Sequence, residues 1–133
     1  MSQENLEVVQ RSASAIAAGD WPDVYETWDP QIEWHFEPEA VISGLHRGRD
    51  PVRAALSSFM DEWEDFSVEI ENLIAADDSR VVMVIHMTGR GRGSGAPLDF
   101  RPAYIFTLRE GRITNVREYF EREQALEAAG LRT

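Results

Sequence analysis

The chain has 133 residues, with 43% hydrophobic residues and four Trp, three Tyr and six Phe, which is typical of one globular domain over residues 1–133. Its 24 acidic and 13 basic residues give a net charge of −11. That charge argues against nucleic acid and anionic membranes, because binding to both depends on Lys and Arg. The chain has no Cys, which excludes disulfides and thiolate chemistry, and it has no signal-like or membrane-spanning stretch, so a cytoplasmic location is expected.

The first third of the chain is predicted to be mainly helical. Apolar residues at helical spacing indicate a helix over 2–18, and Gly19 suits the position just after its end. A short helix follows and stops at Pro30, and residues 31–36 form a strand. The apolar side of the short helix comprises Val24, Tyr25 and Trp28. Residues 37–49 are expected to be irregular, and the sequence does not reveal whether they close over a pocket.

The strongest helical pattern begins near residue 50. Asp50 is predicted to cap this helix and Pro51 to occupy its first position. Its apolar stripe comprises Val52, Ala55, Leu56, Phe59, Met60 and Trp63. Four acidic residues follow at the negative end of the helix dipole, where they are unfavourable, so we expect Arg90 or Arg92 to lie nearby.

Alternating sequence then predicts strands. Residues 66–76 have one apolar and one polar face, and residues 80–88 are apolar on both faces. The second face of the strand over 80–88 therefore needs a helix or a partner subunit to cover it. Residues 89–97 are a Gly-rich connection that opens no helix, which argues against a nucleotide-binding fingerprint.

The stretch from 98 to 121 is predicted to be a hairpin. Its first strand alternates aromatic and aliphatic residues on one face, namely Phe100, Tyr104, Phe106 and Leu108. Its second strand carries Glu118 beside two aromatic residues, and a short helix follows over 122–131. The order of helices and strands indicates an α+β fold with an antiparallel sheet wrapped on helices.

Three stretches together resemble the SnoaL-like branch of the nuclear transport factor two superfamily, and the resemblance covers nearly the whole chain. They are AAGDWPDVYETWDPQIEWHF, GLHRGRDPVRAALSSF and LREGRITNVREYFEREQALEAAGL. The resemblance implies a cone-shaped, strongly curved, mostly antiparallel sheet around the amino-terminal helices, with a cavity at the wide end. It also implies a homodimer through the outer face of the sheet.

The family includes ketosteroid isomerase, polyketide cyclases and epoxide hydrolases, besides binding proteins without catalytic activity. Isomerase-like members carry a carboxylate base near the end of the first strand, where this chain has His35. Their two oxyanion donors correspond to Ser12 and Tyr104 here. The epoxide hydrolases carry a catalytic Asp in the last strand at the position of Glu118. Their Arg and second acid correspond to a region that supplies only His86.

These correspondences indicate candidate site residues but do not define a reaction. Glu118, His35 and Tyr104 are the candidate catalytic residues, with the two former as acid and base and the tyrosine as a hydrogen-bond donor. Glu118 is alternatively a surface carboxylate or salt-bridge partner, and His35 is alternatively structural. Candidate ligand-binding residues, each alternatively a core residue, are His86, Trp28, Tyr25, Phe59, Trp63, Phe106 and Phe120.

The predicted function is a pocket for a small apolar molecule. One hypothesis is a cofactor-independent isomerase, cyclase or hydratase; the others are a non-catalytic binding module and a dimeric interaction protein with a vestigial pocket. Proton transfer between side chains requires no cofactor. His35, His86 and Glu118 are suitable metal-ligand types but lack a spacing signature, so no metal is predicted. Neither the ligand nor the reaction class follows from the sequence.

Overall fold

A computed structural model describes residues 2–40 and 42–131. The elements are α1 (Ser2–Ala18), α2 (Trp21–Thr27), β1 (Trp28–Phe36), β2 (Gly44–Arg47), α3 (Arg49–Met60), β3 (Trp63–Ala75), β4 (Arg80–Gly91), β5 (Pro97–Phe100), β6 (Ala103–Arg109), β7 (Arg112–Tyr119) and α4 (Arg122–Ala128). The predicted α+β class is confirmed. None of these helices has both the length and the apolar character needed to cross a bilayer.

Six strands form one sheet in the order β2-β1-β7-β6-β4-β3, and β5 pairs with β4 beside β6. Only the β1–β7 pair is parallel among the pairs that the structure describes. Register shifts interrupt three of the pairs, including two in the long β3–β4 pair. Such irregularities bend strands and increase their twist, which is how a sheet curls around helices.

The inner face of the sheet carries the main core. Alternate residues of β4 and β6 pack there with helices α1, α2 and α3. Residues of this face include Met83, Ile85, Met87, Tyr104, Phe106 and Leu108. The single-face stripe predicted for the hairpin is therefore confirmed, although the backbone breaks it into β5 and β6 at 101–102.

The ends of α3 differ from the prediction. The helix begins after Gly48, whose φ of 88° favours glycine. Asp50 therefore does not cap the helix, and its carboxylate accepts a hydrogen bond from the Tyr25 hydroxyl. Its carboxyl end stops at Met60, which places Trp63 in β3. The expected basic partner is present, because Arg92 Nε donates to the Asp61 carbonyl oxygen at 2.7 Å.

Helix α4 covers part of the outer face of the sheet. It packs its buried Ala125 and Leu126 against outer residues of β4 and β6, which are Val82, Val84, Ala103 and Ile105. The apolar outer side of β4 was expected to need a helix or a partner subunit, and over these residues the helix provides the cover. A homodimer through the outer face stays a prediction, but this apolar strand does not require it.

Candidate functional site

A cavity of about 230 Å³ lies between the inner face of the sheet, α3 and the segment after β1, and we call it the Glu118 cavity. Its walls come from all of these elements because the sheet curls over α3. The lining residues are Phe36, Glu39, Ala40, Ile42, Leu56, Phe59, Trp63, Met87, Leu98, Phe100, Tyr104, Glu118 and Phe120. Residues 39, 40 and 42, which follow β1, form part of the wall of this space.

Glu118 is the buried carboxylate of this cavity, with 6% of its surface exposed. It lies on β7 opposite Tyr104 of β6, and the inward position of Val116 two residues earlier places both side chains on the inner face. The backbone N–H of Glu37 donates to Oε1 at 3.1 Å, and the Tyr104 hydroxyl donates to Oε2 at 3.2 Å. No ion pair to Glu118 exists among the described residues.

This environment raises the pKa of Glu118 above its ordinary value. Burial is the main cause, because a charged carboxylate loses hydration without gaining a counter-ion, and the two hydrogen bonds partly oppose the shift. Burial also raises the pKa of Tyr104 well above its usual range, with the neighbouring Glu118 charge as a further cause. Tyr104 is therefore a neutral hydrogen-bond donor at physiological pH, and Glu118 is the group able to exchange a proton.

A second space of about 80 Å³ adjoins the first, and we call it the α1 cavity. Leu56, Phe59, Met87 and Tyr104 line both spaces. Ser12 lines the α1 cavity from helix α1, but its hydroxyl oxygen is buried and makes no hydrogen bond within the described residues. The α1 cavity is the more apolar of the two, and the carboxylate belongs to the other.

The structure does not bring His35 to Glu118. Trp34 and Phe36 point inward from β1, so His35 between them lies on the outer face. There its Nε2 is 3.3 Å from Asn115 Nδ2 and 3.7 Å from Glu33 Oε1. The expectation that His35 acts with Glu118 in one pocket is therefore wrong on geometric grounds.

His86 also lies on the outer face. Its neighbours Ile85 and Met87 belong to the inner core, and its Nε2 is 2.6 Å from Asp99 Oδ1. Arg101 Nη2 approaches the other ring nitrogen at 3.4 Å. His86 does not line either cavity, which corrects its assignment as a ligand-binding residue. His35, His86 and Glu118 thus do not meet, and the described residues contain no group of three or more potential metal-binding side chains.

The aromatic predictions divide between cavity and core. Phe59, Trp63 and Phe120 line the Glu118 cavity, Phe106 lines the α1 cavity, and Phe59 lines both. Trp28 is fully buried and lines neither, so its assignment to the pocket is wrong.

Tyr25 also lies outside both cavities, stacked on Trp28 with ring centroids 5.9 Å apart. Sequence reasoning did not assign Phe36, Leu98 and Phe100 to the site. Strand alternation could have identified the two phenylalanines, because Phe36 is two residues from Trp34 in β1 and Phe100 shares a face with Tyr104 in the predicted hairpin.

The chain is similar in sequence to a known protein family and to individual proteins. Residues 9–116 match the family model described as the SnoaL-like domain. An uncharacterized protein of Mycobacterium tuberculosis is 28% identical over 125 residues, which cover 93% of this chain and 94% of that protein. The family match spans α2 and α3, most of α1 and most of the sheet, and it ends two residues before Glu118.

Solved structures share the architecture. A nuclear transport factor two-like protein from Burkholderia xenovorans is 26% identical, covers 97% of both chains and superposes with a TM-score of 0.77. A Mycobacterium tuberculosis protein solved in complex with estradiol-17beta-hemisuccinate is 17% identical, with a TM-score of 0.75 over 90% of this chain and 95% of that one. The second likeness shows the fold alone. The predicted curved-sheet fold is confirmed by these structures.

Proposed function

The chain belongs to the SnoaL-like family, and we propose that it binds a small, mostly apolar molecule in the Glu118 cavity, with one polar group of that molecule at Glu118. The observation that carries this proposal is a buried carboxylate that has no ion-pair partner within residues 2–40 and 42–131 and faces a cavity with aromatic walls. Burying an ionisable group in this way costs stability, and such groups occur preferentially at functional sites.

The size of the cavity supports a ligand smaller than a typical drug molecule, since pockets for those measure about 300 to 1,000 Å³. Its aromatic walls supply the affinity. Burying about 200 Å² of apolar ligand surface contributes roughly 5 kcal/mol before the costs of association. The carboxylate and the tyrosine supply orientation, because they are polar groups at one wall of an otherwise largely apolar space.

Proton transfer is a second candidate function, and the raised pKa of Glu118 favours it. A general acid–base catalyst works best when its pKa lies near the working pH, and burial moves this carboxylate in that direction. With His35 outside the cavity, one carboxylate would take and return the proton. The Tyr104 hydroxyl would turn from Glu118 Oε2 to the substrate and donate to a developing oxyanion. This supports a cofactor-independent isomerase, cyclase or hydratase that uses two side chains.

Binding is tested by thermal shift with a set of small molecules that each combine an apolar body with one polar group. We expect hits on the wild type that are lost in Leu98→Trp, because Leu98 is a half-buried wall residue whose enlargement fills the cavity. His35→Ala is the matched control and should retain every hit. If no compound raises the melting temperature, or if Leu98→Trp retains the hits, the binding proposal is wrong and the interaction-protein alternative gains weight.

Catalysis is tested separately, by deuterium exchange at the α-carbon of a bound enolisable ketone in D₂O. Glu118→Gln should slow exchange by at least about 10²-fold, which is the usual contribution of a general base. Tyr104→Phe should slow it while leaving the proton acceptor in place. Equal exchange rates in the wild type and Glu118→Gln would leave the protein a binding module.

A further inference from the structure

We propose that the preferred ligands of the Glu118 cavity are small organic cations, that is, ammonium groups with apolar substituents. The inference rests on the proposed ligand-binding function and adds the charge of the ligand to it. Two independent features of the cavity carry it: an unbalanced negative charge and a wall composed largely of aromatic rings.

The titratable residues of the cavity wall are two acids and Tyr104, which is neutral. Glu118 supplies a buried carboxylate and the exposed Glu39 belongs to the same wall, whereas no Arg or His lines the cavity among the described residues, and the chain contains no Lys. Arg117 is adjacent to Glu118 in sequence, but strand alternation places it on the outer face, where it pairs with His35 in the sheet. An anionic ligand would meet two like charges and no cation there.

The aromatic rings surround the same space from several elements. They are Phe36, Phe59, Trp63, Phe100, Tyr104 and Phe120. Phe100 and Phe120 meet edge to face with ring centroids 5.3 Å apart, and Phe59 and Trp63 are 6.0 Å apart. The faces of such rings carry negative electrostatic potential and attract cations by about 0.5 to 2 kcal/mol each.

Hydrogen bonding leaves room for a cation at Glu118. An ionised carboxylate has about four lone-pair directions, and the Glu37 N–H and the Tyr104 hydroxyl use two of them. A protonated amine would donate to a third, while a quaternary ammonium would be held by charge and ring contacts. Either cation supplies the counter-charge that Glu118 lacks, which a neutral apolar molecule does not do.

The experiment compares three probes of similar size and shape that carry a positive, a zero and a negative charge. Choline is the cation, 3,3-dimethylbutan-1-ol replaces its nitrogen by carbon, and 3,3-dimethylbutanoate carries an anion on the same branched carbon skeleton. Dissociation constants are measured by calorimetry or ligand-observed NMR on the wild type, Glu118→Gln and Glu69→Gln. Glu69 is an exposed glutamate of β3 that does not line the cavity, so it controls for the loss of net charge.

We expect the wild type to bind choline at least tenfold more tightly than the neutral alcohol and to bind the anion least. Glu118→Gln should weaken choline by tenfold or more and change the alcohol by less than threefold, while Glu69→Gln changes neither. If the alcohol binds as well as choline, or Glu118→Gln leaves choline unaffected, the cation proposal is overturned and the ligand-binding proposal survives. If none of the three probes nor any thermal-shift compound binds, both proposals are overturned.

Discussion

Replacing Glu118 by Gln is expected to stabilise the protein at neutral pH. The substitution preserves shape and removes only the buried charge. The Gln Oε1 can accept from the Glu37 N–H, and its amide nitrogen can donate to the Tyr104 oxygen, so both polar contacts persist with one direction reversed. The desolvation that raises the pKa of Glu118 then disappears.

The sign of this effect follows from proton linkage. The pKa of Glu118 is higher in the folded chain than its ordinary value of 4.5. Between these two pKa values the folded chain binds more protons than the unfolded chain, so the free energy of unfolding falls as the pH rises through that range. Because the substitution removes a buried, unpaired charge and keeps both polar contacts, we expect a gain on the order of 1 kcal/mol at pH 7, or about 3 to 5 °C in melting temperature for a chain of this length.

The assay is thermal and urea unfolding of wild type and Glu118→Gln between pH 4 and 8. The difference should be largest at pH 7 to 8 and vanish near pH 4, where both side chains are neutral. Glu37, Glu39 and Tyr104 also face Glu118, but they are present in both proteins. Glu69→Gln, the exposed control, should stay within about 0.5 kcal/mol of wild type at every pH. A destabilised Glu118→Gln, or a gain that persists at pH 4, would refute burial as the cause of the shift.

Two further substitutions test the turn after β3 and the outer core. Asp77 accepts hydrogen bonds from the backbone of Ser79 and Arg80 and pairs with the Arg80 side chain, which lowers its pKa to about 2. Asp77→Ala should cost roughly 1 kcal/mol above pH 5, because solvent screens the exposed pair with Arg80 and the backbone hydrogen bonds make most of the difference. The cost should fall as the pH falls towards 2. Asp78→Ala should be near neutral, and equal urea midpoints for the two variants would contradict this. Leu126→Ala should lower the free energy of unfolding in urea by roughly 2 to 4 kcal/mol, because Leu126 packs against β4 and β6 with only 3% of its surface exposed. If its cost is no larger than that of the exposed Glu127→Ala, the packing of α4 is dispensable for stability.

The fold was largely predictable because its strongest local patterns agree with the tertiary structure. The helical stripes of α1 and α3 face the sheet, and Tyr104 and Phe106 lie on one inner face as their alternation indicates. The short β2 was not predicted, and β5 was predicted only as the start of one continuous strand with β6. Each has only four residues, which leaves little periodic signal in the sequence.

The site was predictable only in part, because resemblance and strand alternation pointed in different directions. Alternation of Ile32, Trp34 and Phe36 already placed His35 outward, but the family position suggested a catalytic base. For His86 the pattern was ambiguous, since β4 is apolar on both faces. Its outer apolar residues are explained by α4, whose docking position does not follow from its own sequence.

Strand alternation also limits the chemistry that this family member can perform. Both histidines of the sheet strands β1 and β4 point outward, as does Arg117, while Glu118 alone among the charged residues of β7 points inward. Changing this arrangement would require a one-residue slip of a strand, which would also expose Trp34 or Val116 and bury their polar neighbours. The register that builds the core therefore isolates one acid in an aromatic cavity. The organic cation that we propose as ligand would balance the charge of that acid, which a neutral apolar molecule would not do.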